Sequence, residues 1–463
     1  MGFHHLPTTH FSLTDHARQG GGALGPKGLT HGFPPIFFSD STGNEMPMGS
    51  PPRAPYDACF FKGPTPVSSP TPLSPRAVAF FALAAGVVTA NAYYVHPIIG
   101  RVAGTFSVSA GEIGAVPALN QTALALGVLF LLPLGDFISN RKLVLTCLTI
   151  QLIALITMAT SEDYRVFLVA STVLGFFTLT PYLLPAYVSK RVEGAQLGRA
   201  TATLTTGVVA GVLLSRTGSG VIAEYAGWRA VYGVAAGLMA CALIILAWRL
   251  EGQSAAQPQP RTPYGRMILA LGRLALKHPQ VILSGAIQGL SFAIFLLLWL
   301  GLGLHLTGPA WNLGTDLVGG LSALTALNLF TTARLGRWAD RLGAERARRR
   351  LAFLQFIGVL TLALVNWHWL WVILPITLTC IAGPVIDVTG RMTALREDPA
   401  IRTRLMTLYT TIMFLLAGLG SALGTSTYAR FGWNGIVLAS AGLSLLVLLG
   451  TQLGFRNQAS QNP

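Results

Sequence analysis

Between residues 77 and 454 the chain alternates long apolar stretches with short polar breaks. Twelve stretches stand out, near 77–99, 113–134, 143–160, 165–188, 198–222, 229–248, 280–304, 313–333, 351–367, 369–391, 405–428 and 434–454. Each runs for about 20 residues, the length that carries a helix across a ~30 Å hydrocarbon core. Helices are required there, because lipid offers no water to satisfy backbone N–H and C=O groups. The pattern therefore predicts an all-α polytopic membrane protein with twelve transmembrane helices.

The polar breaks divide these spans six and six. A first bundle is expected over 77–250, a cytoplasmic linker over 251–278, a second bundle over 279–455 and a short C-terminal tail over 456–463. Within the linker, "EGQSAAQPQPRTP" is polar, whereas "YGRMILALGRLALKH" sets Arg266, Arg273 and Lys277 on one helical face. Ile268, Leu269, Leu271, Leu274 and Leu276 fill the remainder, which predicts an amphipathic helix at the membrane surface. Residues 1–76 differ in kind, holding 13 of the 27 prolines and no apolar run long enough to cross a bilayer. No charged segment leads into an apolar one, so a signal peptide is not expected. A disordered Pro-rich cytoplasmic tail is expected instead, or an upstream start that is not used, with Met46 and Met48 as internal alternatives. His4, His5 and His10 lie in this tail without structure around them, and no metal site is assigned there.

Composition agrees with the spans. Of 463 residues, 52% are hydrophobic and 11% charged, with a mean hydropathy of +0.57. Soluble domains carry about 25% charged residues, so an ordinary cytosolic enzyme is excluded. The formal charge of +15 would suit a nucleic-acid binder if it formed a basic patch. It is instead distributed over alternate loops. One set, with the C-terminus, holds 21 Lys/Arg; the opposite set holds four, Arg101, Arg165, Arg229 and Arg430. Under the positive-inside rule both termini are cytoplasmic, and no nucleic acid is needed to explain the charge.

Candidate chemistry is sparse. None of the five lysines follows a glycine, so there is no phosphate-cradling loop. HExxH and GxSxG motifs are absent too, and neither an enzyme nor a cofactor or metal is expected. Cys59 lies in the tail, while Cys147, Cys241 and Cys380 sit in apolar runs and read as buried small hydrophobes.

The halves echo each other at a fixed offset. After the second span stands "LPLGDFISNRK" (132–142), and after the eighth "GRWADRLGAERARRR" (336–350), with Asp136 and Asp340 204 residues apart. After the fifth span stands Gly227-Trp228-Arg229, and after the eleventh Gly432-Trp433-Asn434, with the tryptophans 205 apart. Two unrelated landmarks sharing one offset predict two pseudo-symmetric six-helix bundles. Parallel repeats of this kind place a binding site between them near mid-membrane.

With these motifs the sequence resembles the major facilitator superfamily, particularly its bacterial drug and metabolite efflux members of the arabinose-efflux type. The likeness is carried by "ANAYYVHPIIGRVAGTFSVSAGEIG", "LLPLGDFISNRKLVL", "GVLLSRTGSGVIAEYAGWRAVYG", "FLLAGLGSALG" and "GWNG", and spans roughly 77–455. It implies a secondary transporter in the bacterial inner membrane, monomeric, moving a small organic substrate by alternating access, with protons as the coupled partner. It also implies a cytoplasmic latch from Asp136, Arg141 and Lys142, repeated by Asp340 and Arg341. The first copy has Leu132 where the family's leading glycine often sits, and Phe137 and Asn140 where basic residues are common, which weakens its charge relay. The alternative reading of these residues is charge that only sets topology.

Ionisable groups at mid-membrane cost roughly 2.5–3.5 kcal/mol on insertion scales. Asp387 and Arg391 lie one turn apart in the tenth span, and Arg216 lies in the fifth. Asp387 is the candidate proton carrier, with Arg391 or Arg216 tuning it; a static pair locking the helix is the alternative. Substrate contacts are assigned to Gln288, Phe292, Phe295 and Trp299, a single stripe on the seventh span. Asn91, Tyr94, Asn120, Gln121, Tyr182 and Asn328 join them as isolated polar groups on apolar walls. Lipid-facing or packing rings and interhelical hydrogen bonds are the alternatives for these, and Gly207/Gly211 and Gly420/Gly424 read as close helix crossings. Export of a small organic compound against protons is the expected function. Proton-linked transport of a sugar or nucleoside is the alternative within transport, and a non-transporting receptor or scaffold the alternative of another class.

Overall fold

The computed structural model describes residues 73–189, 191–192, 194–250 and 263–459. The expectations for the tail before residue 73, its three histidines and Cys59, the polar linker 251–262 and the last four residues lie outside that range. All regular structure among the described residues is helical. In order these are α1 (Pro75–Ala90), α2 (Val95–Phe106), α3 (Ala110–Ile113), α4 (Ala115–Leu134), α5 (Asn140–Thr160), α6 (Tyr164–Phe176), α7 (Thr180–Ser189), α8 (Gly194–Ala226) and α9 (Trp228–Arg249). After the linker come α10 (Tyr264–Lys277), α11 (Pro279–Leu306), α12 (Thr315–Leu321), α13 (Leu327–Leu342), α14 (Ala344–Leu360), α15 (Ile373–Leu395) and α16 (Pro399–Ala459).

Ten helical stretches among the described residues are long and apolar enough to cross a membrane. The last of them is folded: Gly432, at φ 58° and ψ −146°, separates two arms of α16. Eleven of the predicted spans fall on these helices. The remaining one, 313–333, falls where α12 and α13 are separated by a 3₁₀ turn at Ser322–Ala326. There the Ser322 hydroxyl bonds to the Thr217 hydroxyl at 2.7 Å and faces the Leu213 carbonyl at 3.4 Å, both on α8. Tight 3₁₀ geometry in mid-helix commonly marks such a local adjustment.

Helix ends follow the polar breaks. Ser74 caps α1 ahead of Pro75, and Ser109 with Glu112 forms a capping box on α3. Asp163 accepts from the backbone N–H groups of Arg165 and Val166 at the start of α6. These side chains satisfy helix donors that would otherwise be orphaned. The repeated Gly-Trp pairs now have a structural cause. Gly227 and Gly432 both take positive φ, which glycine adopts without a Cβ penalty, and the tryptophan after each turns inward. Trp228 donates to the Thr105 hydroxyl, and Trp433 to the Leu362 carbonyl, both at 2.9 Å.

Side chains such as Leu83, Ile153, Val169, Leu214 and Leu438 are largely exposed on the helix exteriors. Apolar surface of that extent suits hydrocarbon rather than water. Cys147 and Cys380 are buried as expected, whereas Cys241 is exposed on the outer face of α9. One large buried cluster is drawn mostly from α1–α9 and a second from α11–α16. A small third cluster joins Ala92, Tyr93, Leu296 and Ala417 across the seam between them.

Helices cross closely where small residues permit. A Cβ on Gly211 would lie 2.2 Å from the Gly86 carbonyl oxygen, and one on Gly207 2.2 Å from that of Ala82. Backbone thus meets backbone where α1 crosses α8, while Gly420 and Gly424 make room for Ala293 and Leu297 of α11. On α10, Met267 and Leu271 are buried and Arg266 and Arg273 exposed. Tyr264 at its start donates to the Phe130 carbonyl at 2.6 Å.

Candidate transport site at the seam

Two polar centres face the seam, joined by a ladder of rings. The first is on α15. Arg391 Nε lies 3.0 and 2.9 Å from the two carboxylate oxygens of Asp387, the contact expected of residues four apart on one helix. Tyr409, fully buried on α16, donates to Asp387 Oδ1 at 3.0 Å, and its ring lies beneath the Arg391 guanidinium at 5.4 Å. The carboxylate therefore has two donors from two helices. It is still about a quarter exposed.

The second centre is Arg216 on α8, which is completely buried. It makes no ion pair with any described carboxylate. Its Nε and Nη2 approach His96 Nδ1 at 3.2 and 3.1 Å. Around it stand the rings of Tyr93, Phe295 and Trp299, with centroids 5.0, 4.5 and 4.6 Å away. The ring faces are electronegative and offset part of the cost of burying a cation. Tyr93 and His96 come from the α1–α2 turn, Phe295 and Trp299 from α11, so both sides of the seam build this cage.

Between the centres the rings run in contact. Tyr182 meets Phe414 edge-on at 6.0 Å, Phe414 meets Phe292 at 5.9 Å, and Phe292 stacks on Phe295 at 5.8 Å. Phe295 then meets Trp299 at 6.4 Å, beneath Arg216. Tyr182 in turn stands within electrostatic reach of Asp387 and Arg391. Three members of the predicted α11 stripe, Phe292, Phe295 and Trp299, thus belong to one ladder. Gln288 is buried on the same helix, and its Oε1 has no partner.

The other predicted polar groups are placed elsewhere. Asn91 donates to Gln151 Oε1 at 3.3 Å, and Gln151 donates to the Phe177 carbonyl at 2.6 Å, a chain inside the first cluster. Tyr94 packs edge-on against Tyr232 at 6.5 Å. Asn120 donates to the Ser171 carbonyl at 2.8 Å, tying α4 to α6. Gln121 is fully buried with both amide atoms unpaired. The side chain of Asn328 lies outside the described residues. In the latch motif Arg141 donates to the Ala247 carbonyl at 2.9 Å, at the end of α9. Asp136, Lys142, Asp340 and Arg341 are exposed, and the two acids form no ion pair among the described residues.

Sequence reading passed over Tyr93, His96, Phe414 and Tyr409. The first two were hidden by a change of helical phase. Pro97 has no N–H to donate to the Tyr93 carbonyl, and its ring displaces that carbonyl. The backbone between α1 and α2 consequently tightens to i→i−3 bonds, as in Tyr93 to Ala90 and His96 to Tyr93. A proline three residues after a tyrosine pair was the available signal. Glu224 was also passed over. It pairs with Arg101 at 2.5 Å and accepts from the Thr315 N–H at 2.8 Å and hydroxyl at 3.0 Å. Thr315 donates as well to the Gly220 carbonyl, and Thr217 to that of Gly319. These bonds fasten α8 to α12 at the end remote from the termini. A cleft of about 480 Å³ opens beside them, lined by Arg101, Glu224 and Thr315, away from the ring ladder.

Apolar helices packed as two clusters about a polar seam agree with a multi-pass membrane transporter. The Major Facilitator Superfamily profile matches residues 81–399, and the chain belongs to that superfamily. It is 27% identical over 399 residues to the uncharacterized transporter YgaY of Escherichia coli O157:H7, covering 84% of this chain and 98% of that one. It is 22% identical to the multidrug resistance protein MdtG of Dickeya zeae, covering 60% and 68%. Its fold matches a variant of the nucleoside transporter NupG with a TM-score of 0.65 at 13% identity, covering 82% and 99%.

Proposed function

We propose that the protein exports a small organic compound in exchange for protons, by alternating access at the seam. The observation that carries this reading is the Asp387–Arg391–Tyr409 cluster, an ionisable group inside a membrane helix that is only partly buried. When Asp387 takes a proton its charge is lost, and its attractions to Arg391 and Tyr409 weaken. When it releases that proton both attractions return. Substrate would lie along the rings between Tyr182 and Trp299. The proposal places both termini in the cytoplasm of a bacterium, in the inner membrane, with a six-helix bundle on each side of the linker and a monomer as the working unit. The end fastened by Glu224 and Thr315 is then external. The latch residues Asp136, Arg141, Lys142, Asp340 and Arg341 would engage when the opposite end closes.

Export agrees with the likeness to a multidrug resistance protein. A second reading, proton-linked transport of a nucleoside or sugar, draws support from the unpaired amide atoms of Gln121 and Gln288, which suit uncharged polar ligands. Reconstituted vesicles test both. An imposed pH gradient should drive substrate out of wild-type vesicles, and Asp387→Asn should lose that drive while retaining exchange of labelled for unlabelled substrate. Full pH-driven transport by Asp387→Asn would sink the coupling role. Tight binding without movement of any compound would favour a receptor or scaffold.

A further inference from the structure

We infer that the Arg216 cage is a receptor for the carboxylate of a monoanionic substrate, whose apolar body lies on the ring ladder. This deepens the transport reading and rests on it. Arg216 is fully buried and has no acid partner among the described residues, although a guanidinium is permanently charged. Buried charges at membrane depth are paired or mark a substrate path.

The unpaired atoms point to the missing partner. Arg216 Nη1, His96 Nε2 and Trp299 Nε1 are all buried without a hydrogen bond. The guanidinium can only donate, so His96 Nδ1 must accept from it and the neutral ring carries its proton on Nε2. Indole Nε1 is a donor as well. Three unsatisfied groups around one cation are therefore all donors, and none is an acceptor. A set of that kind fits a carboxylate, which is acceptor-only when ionised and takes a guanidinium in a forked pair. One uncompensated positive charge selects a single negative charge.

The surroundings select the remainder of the ligand. Beyond Phe295 the rings continue as Phe292 and Phe414 toward Arg391, which already holds Asp387. A flat apolar or aromatic body attached to the carboxylate fits that strip. Because Tyr93 and His96 lie on one side of the seam and Phe295 and Trp299 on the other, a bound carboxylate would link the two sides through Arg216.

Full-length protein in nanodiscs, titrated with benzoate, phenylacetate and 1-naphthoate and with their neutral amides, tests the inference by calorimetry. At least one acid should bind ten-fold or more tighter than its amide. Arg216→Gln should erase that preference, Arg216→Lys should keep part of it, and Trp299→Phe should weaken the acid several-fold without moving the amide. Equal binding of acids and amides, undiminished acid binding by Arg216→Gln, or no binding by any acid would each overturn it. Should Arg216→Gln not fold, Arg216→Lys and Trp299→Phe carry the same decision. Asp387→Asn separates the two readings: at fixed pH it should bind the acid as wild type does. If proton drive survives in that variant while the acid preference stands, the coupling role fails and the receptor holds.

Discussion

Arg391 and Arg216 are both arginines within membrane helices, but the protein treats them in opposite ways. Arg391 has its acid one turn away on the same helix and a tyrosine hydroxyl on that acid. Arg216 has rings, one imidazole and no carboxylate among the described residues. The first arrangement is electrically complete and partly exposed, as the proposed proton switch requires. The second is dry and carries an unanswered charge. Completeness suits a group that switches, and incompleteness suits one that waits for a ligand.

The sharpest way to break this contrast is to remove the acid. Asp387→Asn should lower pH-driven flux in vesicles by about 100-fold, with exchange preserved, since it removes the proton-binding group outright. Next in size is Arg391→Gln, which strands the carboxylate. Unfolding in detergent should show a loss of about 2 kcal/mol, below the 3–5 typical of fully buried pairs, because both side chains keep some solvent. The double variant Asp387→Asn with Arg391→Gln should recover part of that loss. No recovery would mean the two residues act independently.

Arg101 and Glu224 offer a third case, an ion pair near the surface. Glu224→Gln keeps the shape but weakens the link to Arg101 and Thr315, and should cost about 1 kcal/mol, less at high salt. Its signature should be faster labelling of a cysteine placed at Leu313, beside the cleft, as the contact between α8 and α12 loosens. Unchanged labelling would show that α8 and α12 are held by something other than this acid.

Most of the fold was legible because lipid leaves few choices: apolar stretches of sufficient length must become helices. The ion pair was legible because both partners lie on one helix, where spacing dictates contact. The α11 stripe was legible on the same ground. What spacing cannot convey is which residues on different helices meet. The cage depends on a turn at Pro97 that shifts Tyr93 and His96 relative to a regular helix, so Asn91 and Tyr94 drew attention instead. The interruption at Ser322–Ala326 was equally hidden, since its hydroxyl partners lie on α8. Asn120 was a sound polar candidate, but its amide joins α4 to α6.

The approach of α8 to α12 has a mechanical consequence. A Cβ on Gly220 would sit 2.3 Å from the Thr315 carbonyl oxygen, and one on Gly319 2.7 Å from that of Arg216. At Gly220 and Gly319, then, backbone meets backbone. The two helices are nevertheless pinned by the Glu224–Thr315 and Thr217–Gly319 bonds, so any sliding of α12 along α8 must first break them. The Arg216 carbonyl lies at that crossing, so a ligand held by the Arg216 side chain would pull on the same joint.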